Sequence, residues 1–213
     1  MIFSDRVEAG EALAKTLVGY AGTACVVLAI PRGGVVVGEQ VAEALGAPLD
    51  VVIPRKIGAP QNAELGIGAV APGVVVLDAR AVEVLHVDDA YLAREIERQE
   101  REIERRQLVY RAGRPPVRVR DRTAIVVDDG VATGGTAVAA LRWARREGAA
   151  KVVLAVPVAP ARSLERLREE ADEIVVLATP EPFVAVGEWY LRFDQTPDAD
   201  VVAALARVSD DRV

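Results

Sequence analysis

The sequence predicts an α/β protein built on a parallel sheet with helices on its faces. Three observations predict it. Five short runs are apolar almost throughout: Ala24–Ile30, Leu49–Pro54, Thr123–Val127, Lys151–Pro157 and Glu173–Ala178. A strand covered on both faces reads this way, whereas a half-exposed strand alternates apolar and polar residues. Helical patterns stand between these runs, so strand and helix alternate along the chain. The composition is that of a packed domain, with 213 residues, 51% of them hydrophobic, and only 17 Gly and 12 Pro. Such a chain is long enough to bury a core and too apolar to be disordered or fibrous.

Taken in order, Ala24–Ile30 runs into the turn Pro31-Arg32-Gly33-Gly34, and a helix over Val35–Leu45 follows, with Gly46 as its C-cap signal. Leu49–Pro54 ends at the basic pair Arg55-Lys56, followed by the glycine-bearing polar stretch Gly58–Gly68. Asp88–Arg111 reads as a long polar helix with Asp88 or Asp89 as N-cap and with Glu97/Arg101 and Glu102/Arg106 at i,i+4 spacing. Nine Arg and five Glu lie between Arg94 and Arg120, a local positive excess in a chain of net charge −6. The expected reading is a solvated helix laced with ion pairs, with a basic docking surface as the alternative. Thr123–Val127 precedes a helix over Thr136–Glu147 that ends at Gly148, and Lys151–Pro157 precedes one over Ala161–Ala171. Late in a chain that is only 4% aromatic, Phe183–Gln195 gathers Phe183, Trp189, Tyr190 and Phe193. In open α/β sheets ligands sit at the carboxyl ends of the strands, so the residues just after each run carry the functional interest.

The net charge of −6 argues against a general nucleic-acid binder but leaves room for a local phosphate site. The single Cys25 cannot form an internal disulfide and reads as core packing; the single His86, ahead of the long polar helix, reads as structural. No charged-then-apolar leader opens the chain and no apolar stretch approaches the roughly 18 residues a membrane span needs, so a cytoplasmic protein is expected.

The chemistry concentrates in Ile125–Thr136, IVVDDGVATGGT. An apolar strand delivers two adjacent carboxylates, Asp128 and Asp129, and a small-residue loop then leads into a helix. Gly130, Gly134 and Gly135 let backbone N–H groups converge on an anion, the helix start adds a favourable dipole, and Thr133 and Thr136 add hydroxyl donors. Two carboxylates would repel a bare phosphate. They make sense if the ligand also offers hydroxyls, or a divalent cation that neutralises them. A phosphorylated sugar with Mg²⁺ meets these demands. The run is neither a P-loop, lacking Gly-Lys-Thr/Ser, nor a dinucleotide-binding glycine motif.

Ile125–Thr136 resembles the phosphoribosyl-pyrophosphate (PRPP) signature of the type I phosphoribosyltransferases: apolar residues, two acids, small residues, then Thr-Gly-x-Thr. The string from Phe3-Ser4-Asp5-Arg6 through AIPRGG, RKIGAP and DDGVATGGT to AVGEWY resembles a subgroup of predicted phosphoribosyltransferases of unassigned substrate. The resemblance implies a Rossmann-like core over 1–213, with a helical insertion at 79–120 and a C-terminal hood at 180–213. It implies that Pro31–Gly34 is the pyrophosphate loop, with a non-proline cis peptide between Arg32 and Gly33, and that Gly58–Gly68 is a mobile lid. On that basis Arg32, the Gly33 and Gly34 backbone, Arg55 and Lys56 are expected on the pyrophosphate with Mg²⁺. Asp128 and Asp129 are expected on the ribose hydroxyls, directly or through the metal and its waters. Gly130, Ala132, Thr133, Gly134, Gly135 and Thr136 are expected around the 5′-phosphate. Members acting on 6-oxopurines typically carry Asp at the position of Ala132, which disfavours hypoxanthine and guanine. Phe183, Trp189 and Tyr190 are expected as walls of the acceptor pocket, with core packing the alternative for Phe183. The implied partners are PRPP and a small planar nitrogenous acceptor, with no membrane, nucleic acid disfavoured and a homodimer left open. Two other readings share the cradle: a regulatory protein sensing PRPP or nucleotide, and a hydrolase or phosphorylase of phosphoribosyl compounds.

Overall fold

The computed structural model describes residues 2–210. Its elements in chain order are α1 (Arg6–Thr16), β1 (Cys25–Ala29), α2 (Gly33–Leu45), β2 (Leu49–Val51), β3 (Arg55–Ala59), β4 (Asn62–Ala71), β5 (Val74–Leu77), α3 (Ala79–Val84), α4 (Asp89–Arg111), β6 (Thr123–Val127), α5 (Gly135–Arg146), β7 (Lys151–Val158), α6 (Ala161–Leu167), β8 (Glu173–Ala178) and α7 (Asp198–Asp210). Five strands form one sheet in the order β2-β1-β6-β7-β8, and β3-β4-β5 form a second. Every pairing in the first sheet is parallel, and every pairing in the second is antiparallel.

The parallel sheet is where the sequence pattern put it. The residues of β1 are buried along its whole length and those of β6 from Ala124 to Val127, because helices cover both faces. One face packs Val27, Ala29, Ile125 and Val127 with residues of α1, α2 and α7. The other packs Val26, Leu28, Ala124 and Val126 with α5. β2 stops at Val51, three residues before the expected end, although the Val52 amide still donates to the Ala29 carbonyl. Pro54 has no N–H to continue the ladder. Among the described residues, no helix is long and apolar enough to cross a membrane.

Helix α1 occupies a stretch to which the sequence pattern assigned no element, and Gly10 lies within it. That glycine is there for packing: a Cβ would lie 2.8 Å from Gln40 Cβ and 2.9 Å from the Val37 carbonyl oxygen on α2. The second difference is Gly58–Gly68, expected as a mobile lid. Most of it lies in the β3–β4 hairpin, with Ile57 opposite Gly68 and Ala59 opposite Asn62.

Helix α4 is capped by the Asp88 carboxylate, which accepts from Tyr91 N. Its far end is tied to the edge strand β2. The buried Asp50 carboxylate accepts from Arg111 Nε at 3.0 Å and Nη2 at 3.2 Å, and from Val117 N at 2.9 Å. Removing one member of a buried pair strands the other charge, at a cost of about 3–5 kcal/mol. Asp50→Ala is therefore expected to lower the free energy of unfolding by that amount in a urea titration. A loss below about 1 kcal/mol would show that Arg111 is not fixed by this contact.

Candidate functional site

The sheet delivers Asp128 to its carboxyl edge through the buried run of β6, flanked by β1 and β7. Asp128 Oδ1 accepts from Asp129 N at 2.8 Å. Asp129 Oδ2 accepts from Arg6 Nε at 2.7 Å, and the Asp129 carbonyl accepts from the Tyr190 hydroxyl at 2.6 Å. Burial pushes the Asp128 carboxyl well above the usual carboxylate range, with the neighbouring Asp129 charge adding to it. Burial raises Asp129 as well, opposed by the hydrogen bond and charge of Arg6. Two carboxyl groups in one enclosed place ask for positive charge.

The amino end of α2 rests directly on this pair. A Cβ on Gly33 would collide with Asp129 Oδ2 and lie 2.6 Å from Arg6 Nε. One on Gly34 would lie 2.9 Å from Asp128 Cα and Oδ1. Only glycine permits so close an approach. The cis peptide of this loop joins Pro31 to Arg32, one bond before the expected Arg32–Gly33. Arg32 caps α2 without a side-chain hydrogen bond, and its Nη1 lies 3.6 Å from Asp198 Oδ1.

After Asp129 the chain turns through Gly130, where a Cβ would strike Val186 and Val158, and enters α5 through Gly134 at φ +82°. Among the described residues, no side chain caps α5, so the amides of its first turn are available to an anion. Ser163 Oγ on α6 donates to the Ala132 carbonyl at 2.5 Å and pins the loop from outside. Thr133, Gly135 and Thr136 line a cleft of about 550 Å³ whose opposite wall is the hairpin, carrying Lys56. Lys56 Nζ donates to the Glu64 carbonyl oxygen at 2.9 Å and lies 3.3 Å from its carboxylate.

The tips of Arg55 and Lys56 diverge, although both line a smaller cleft of about 270 Å³ with Tyr91 and Gln99. Neighbours in a strand point to opposite faces, and Arg55 Nε donates to Gln99 Oε1 on α4 at 2.9 Å. Burial lowers the Arg55 pKa, with repulsion from Arg106 next. A cleft of about 340 Å³ opens there, lined by Arg55, Arg98, Arg101 and Arg105 with Gln99 and Glu102. The three arginines of α4 in that lining pair with Glu95, Glu97 and Glu102 of the same helix, and Arg105 and Arg106 hold Glu102 at a pKa of about 2.

The late aromatic group divides as well. Phe183 and Trp189 stack at 6.3 Å between centroids, and Trp189 Nε1 is a buried donor without a partner among the described residues. Tyr190 is buried between Phe3 and Phe193, centroids 5.6 and 5.0 Å away, and faces the back of Asp129. His86 sits in the turn between α3 and α4 at φ +49°, and Cys25 is buried at the start of β1. Arg6, Ser163, Val186 and Phe193 also meet here, each far in sequence from what it touches. Arg6 and Val186 lie in the strings Phe3–Arg6 and AVGEWY and Phe193 in the late aromatic group, whereas Ser163 carried no local signal.

The site is thus an acid pair under a glycine turn, followed by a small-residue cradle at the carboxyl edge of a parallel sheet. The family is identified directly: the phosphoribosyl transferase domain matches residues 4–187, and the chain belongs to that family. Two curated Mycobacterium tuberculosis proteins, from strains CDC 1551 and H37Rv, carry phosphoribosyl transferase as a provisional name. Each is 47% identical over 211 residues, 99% of this chain and 48% of the relative. The chain thus spans about half the length of these relatives. The crystal structure of TT1426 from Thermus thermophilus is 46% identical, covers 97% of this chain and 99% of its own, and superposes with a TM-score of 0.82. The AQ2163 protein of Aquifex aeolicus shares the fold at 15% identity over 94% of this chain and 83% of its own, with a TM-score of 0.52.

Proposed function

We propose that this chain transfers a phosphoribosyl group from PRPP to a planar nitrogenous acceptor with release of pyrophosphate, and that it works with Mg²⁺. One observation carries the reading: the half-buried pair Asp128–Asp129 lies between the amino end of α2 and the uncapped amino end of α5. That spacing offers one helix start to each end of a sugar carrying phosphate at both ends. The cradle residues Gly130, Ala132, Thr133, Gly134, Gly135 and Thr136 take the 5′-phosphate. Asp128 and Asp129 accept the ribose hydroxyls, and Arg32 with the Gly33 and Gly34 amides takes the pyrophosphate. Lys56, across the cleft, supplies a further point charge. Arg55 acts from the opposite face of the hairpin and orders it against α4.

The residues fit Mg²⁺. Burial raises both carboxyl groups, and the Asp129 charge raises Asp128 further; a cation relieves that penalty, and Mg²⁺ is commonly held by one or two carboxylates together with substrate oxygens. When bound it would neutralise charge on the departing pyrophosphate. In the transfer the C1–O bond to pyrophosphate breaks as the acceptor nitrogen bonds to C1, and any proton on that nitrogen passes to water. The sugar develops oxocarbenium character, as in glycoside cleavage. The chain's contribution is to hold both phosphate ends with donors already in place and to keep the reacting centre enclosed. No side chain forms a covalent intermediate.

We place the acceptor against Phe183 and Trp189, whose stacked rings favour a flat ligand, with Tyr190 as support behind Asp129. Ala132 offers no carboxylate to a purine N7. Pyrophosphate release from PRPP with Mg²⁺ over a panel of bases tests both parts. Adenine-like or pyrimidine-like acceptors are expected to exceed hypoxanthine and guanine in kcat/KM. Guanine or hypoxanthine above every other planar base would overturn the acceptor assignment, and the absence of both PRPP binding and pyrophosphate release with every base would overturn the activity.

A further inference from the structure

We propose that Arg6 is a positioning residue for Asp129, and that through it the segments Phe3–Arg6 and Trp189–Asp194 set the geometry of the sugar-binding acids. The proposal rests on the reading of Asp129 as a PRPP-binding group. Arg6 is the first residue of α1, whose N-cap Asp5 accepts from Val7 N and Glu8 N, so its backbone is fixed. The segment before it is bonded to the late segment: Phe3 N donates to the Trp189 carbonyl, Leu191 N to the Phe3 carbonyl and Arg192 N to the Ser4 carbonyl. Arg192 also pairs with the Asp5 carboxylate. From this junction the Arg6 side chain, only 12% exposed, reaches inward. Its Nε donates to Asp129 Oδ2, its Nη1 donates to the Asp194 carbonyl at 2.8 Å, and its Cζ lies 3.8 Å from the centroid of the Phe193 ring.

Each contact removes a degree of freedom. The planar guanidinium cannot turn without losing either the carboxylate or the carbonyl, and the Phe193 ring closes one face. Gly33 lies on the same side, where a Cβ would be 2.6 Å from Arg6 Nε. Held at Oδ2, the Asp129 carboxylate has its second oxygen fixed in direction. Arg6 also sets one buried positive charge against two carboxylates that burial disfavours. A residue that only tied the two segments together would need neither the carboxylate contact nor the enclosure.

Titration calorimetry with PRPP and Mg²⁺ on wild type, Arg6→Ala, Arg6→Lys, Asp129→Asn and the double variant Arg6→Ala/Asp129→Asn decides the matter. Residues that orient a binding group typically change affinity by about 10–100-fold, and that loss is expected for Arg6→Ala, with part of it restored in Arg6→Lys. The double variant is expected to bind no more weakly than Asp129→Asn alone, because Arg6 acts through Asp129. Phe193→Leu leaves the ion pair and removes the ring, so it serves if Arg6→Ala fails to fold; a several-fold weaker affinity is expected. Unchanged affinity in the variants that fold, or losses that multiply in the double variant, would overturn the proposal. No PRPP binding by wild type would instead overturn the functional reading beneath it.

Discussion

Replacing Asp128 and Asp129 together by Asn is expected to weaken PRPP binding in the presence of Mg²⁺ by at least about 100-fold, while flattening the pH dependence of the ligand-free chain's stability. Hydrogen bonds to charged groups are worth about 1.5–3 kcal/mol each, so two of them account for a factor of that size or more. The change in pH dependence has a separate origin. Burial raises both carboxyl groups, so the folded chain holds protons that the unfolded chain has released. Stability therefore falls as pH rises from the ordinary carboxylate range through the raised values. The two introduced amides do not titrate, so that fall should vanish, and the first of them keeps an oxygen for the Asp129 N–H contact now made by Asp128 Oδ1. Thermal melts between pH 4 and pH 8 are expected to show a shallower loss of stability with rising pH in the double variant than in wild type, set against the cost of leaving Arg6 without the Asp129 carboxylate. Unchanged calorimetric binding in the double variant would remove the central assignment of the site.

The parts of this fold that were legible in the sequence are those set by neighbours along the chain. Thr123–Val127 and Glu173–Ala178 are strands at the expected bounds, and α4 has its Asp88 cap and its Glu97/Arg101 and Glu102/Arg106 pairs. The acid pair and the cradle could be read because strand, turn and helix start follow one another within twelve residues. Contacts made across the fold could not. Arg6 meets Asp129 across 123 positions and Tyr190 meets it across 61, so neither pairing leaves a periodic trace. The opposite headings of Arg55 and Lys56 depend on β3 being a strand, and Gly58–Gly68 reads as a loop because glycines and polar residues hide its pairing with β3 and β5.

The same logic makes Gly34→Ala the most informative single methyl group in the protein. Gly34 is the second residue of α2, where exchanging glycine for alanine would ordinarily stabilise a helix by about 1 kcal/mol. Here the new Cβ would lie 2.9 Å from Asp128 Cα and Oδ1 and 3.0 Å from the Val127 carbonyl oxygen. Two of those three atoms are backbone, at the end of a central strand with a neighbour on each side, so they cannot give way as a flexible side chain would. Overpacking of this kind costs about 1–3 kcal/mol, against the propensity gain. The strain is relieved only by lifting α2 away from the acid pair, which separates the pyrophosphate loop from Asp128. Gly34→Ala is thus expected to lose about 1–3 kcal/mol in urea unfolding and to bind PRPP at least about tenfold more weakly, a loss of about 1.4 kcal/mol. Gly19→Ala, with nothing within 4 Å of the added Cβ, should stay within about 0.5 kcal/mol of wild type. If Gly34→Ala instead proves as stable as wild type and binds PRPP equally well, the amino end of α2 does not depend on its contact with Asp128, and the pyrophosphate loop must be placed elsewhere.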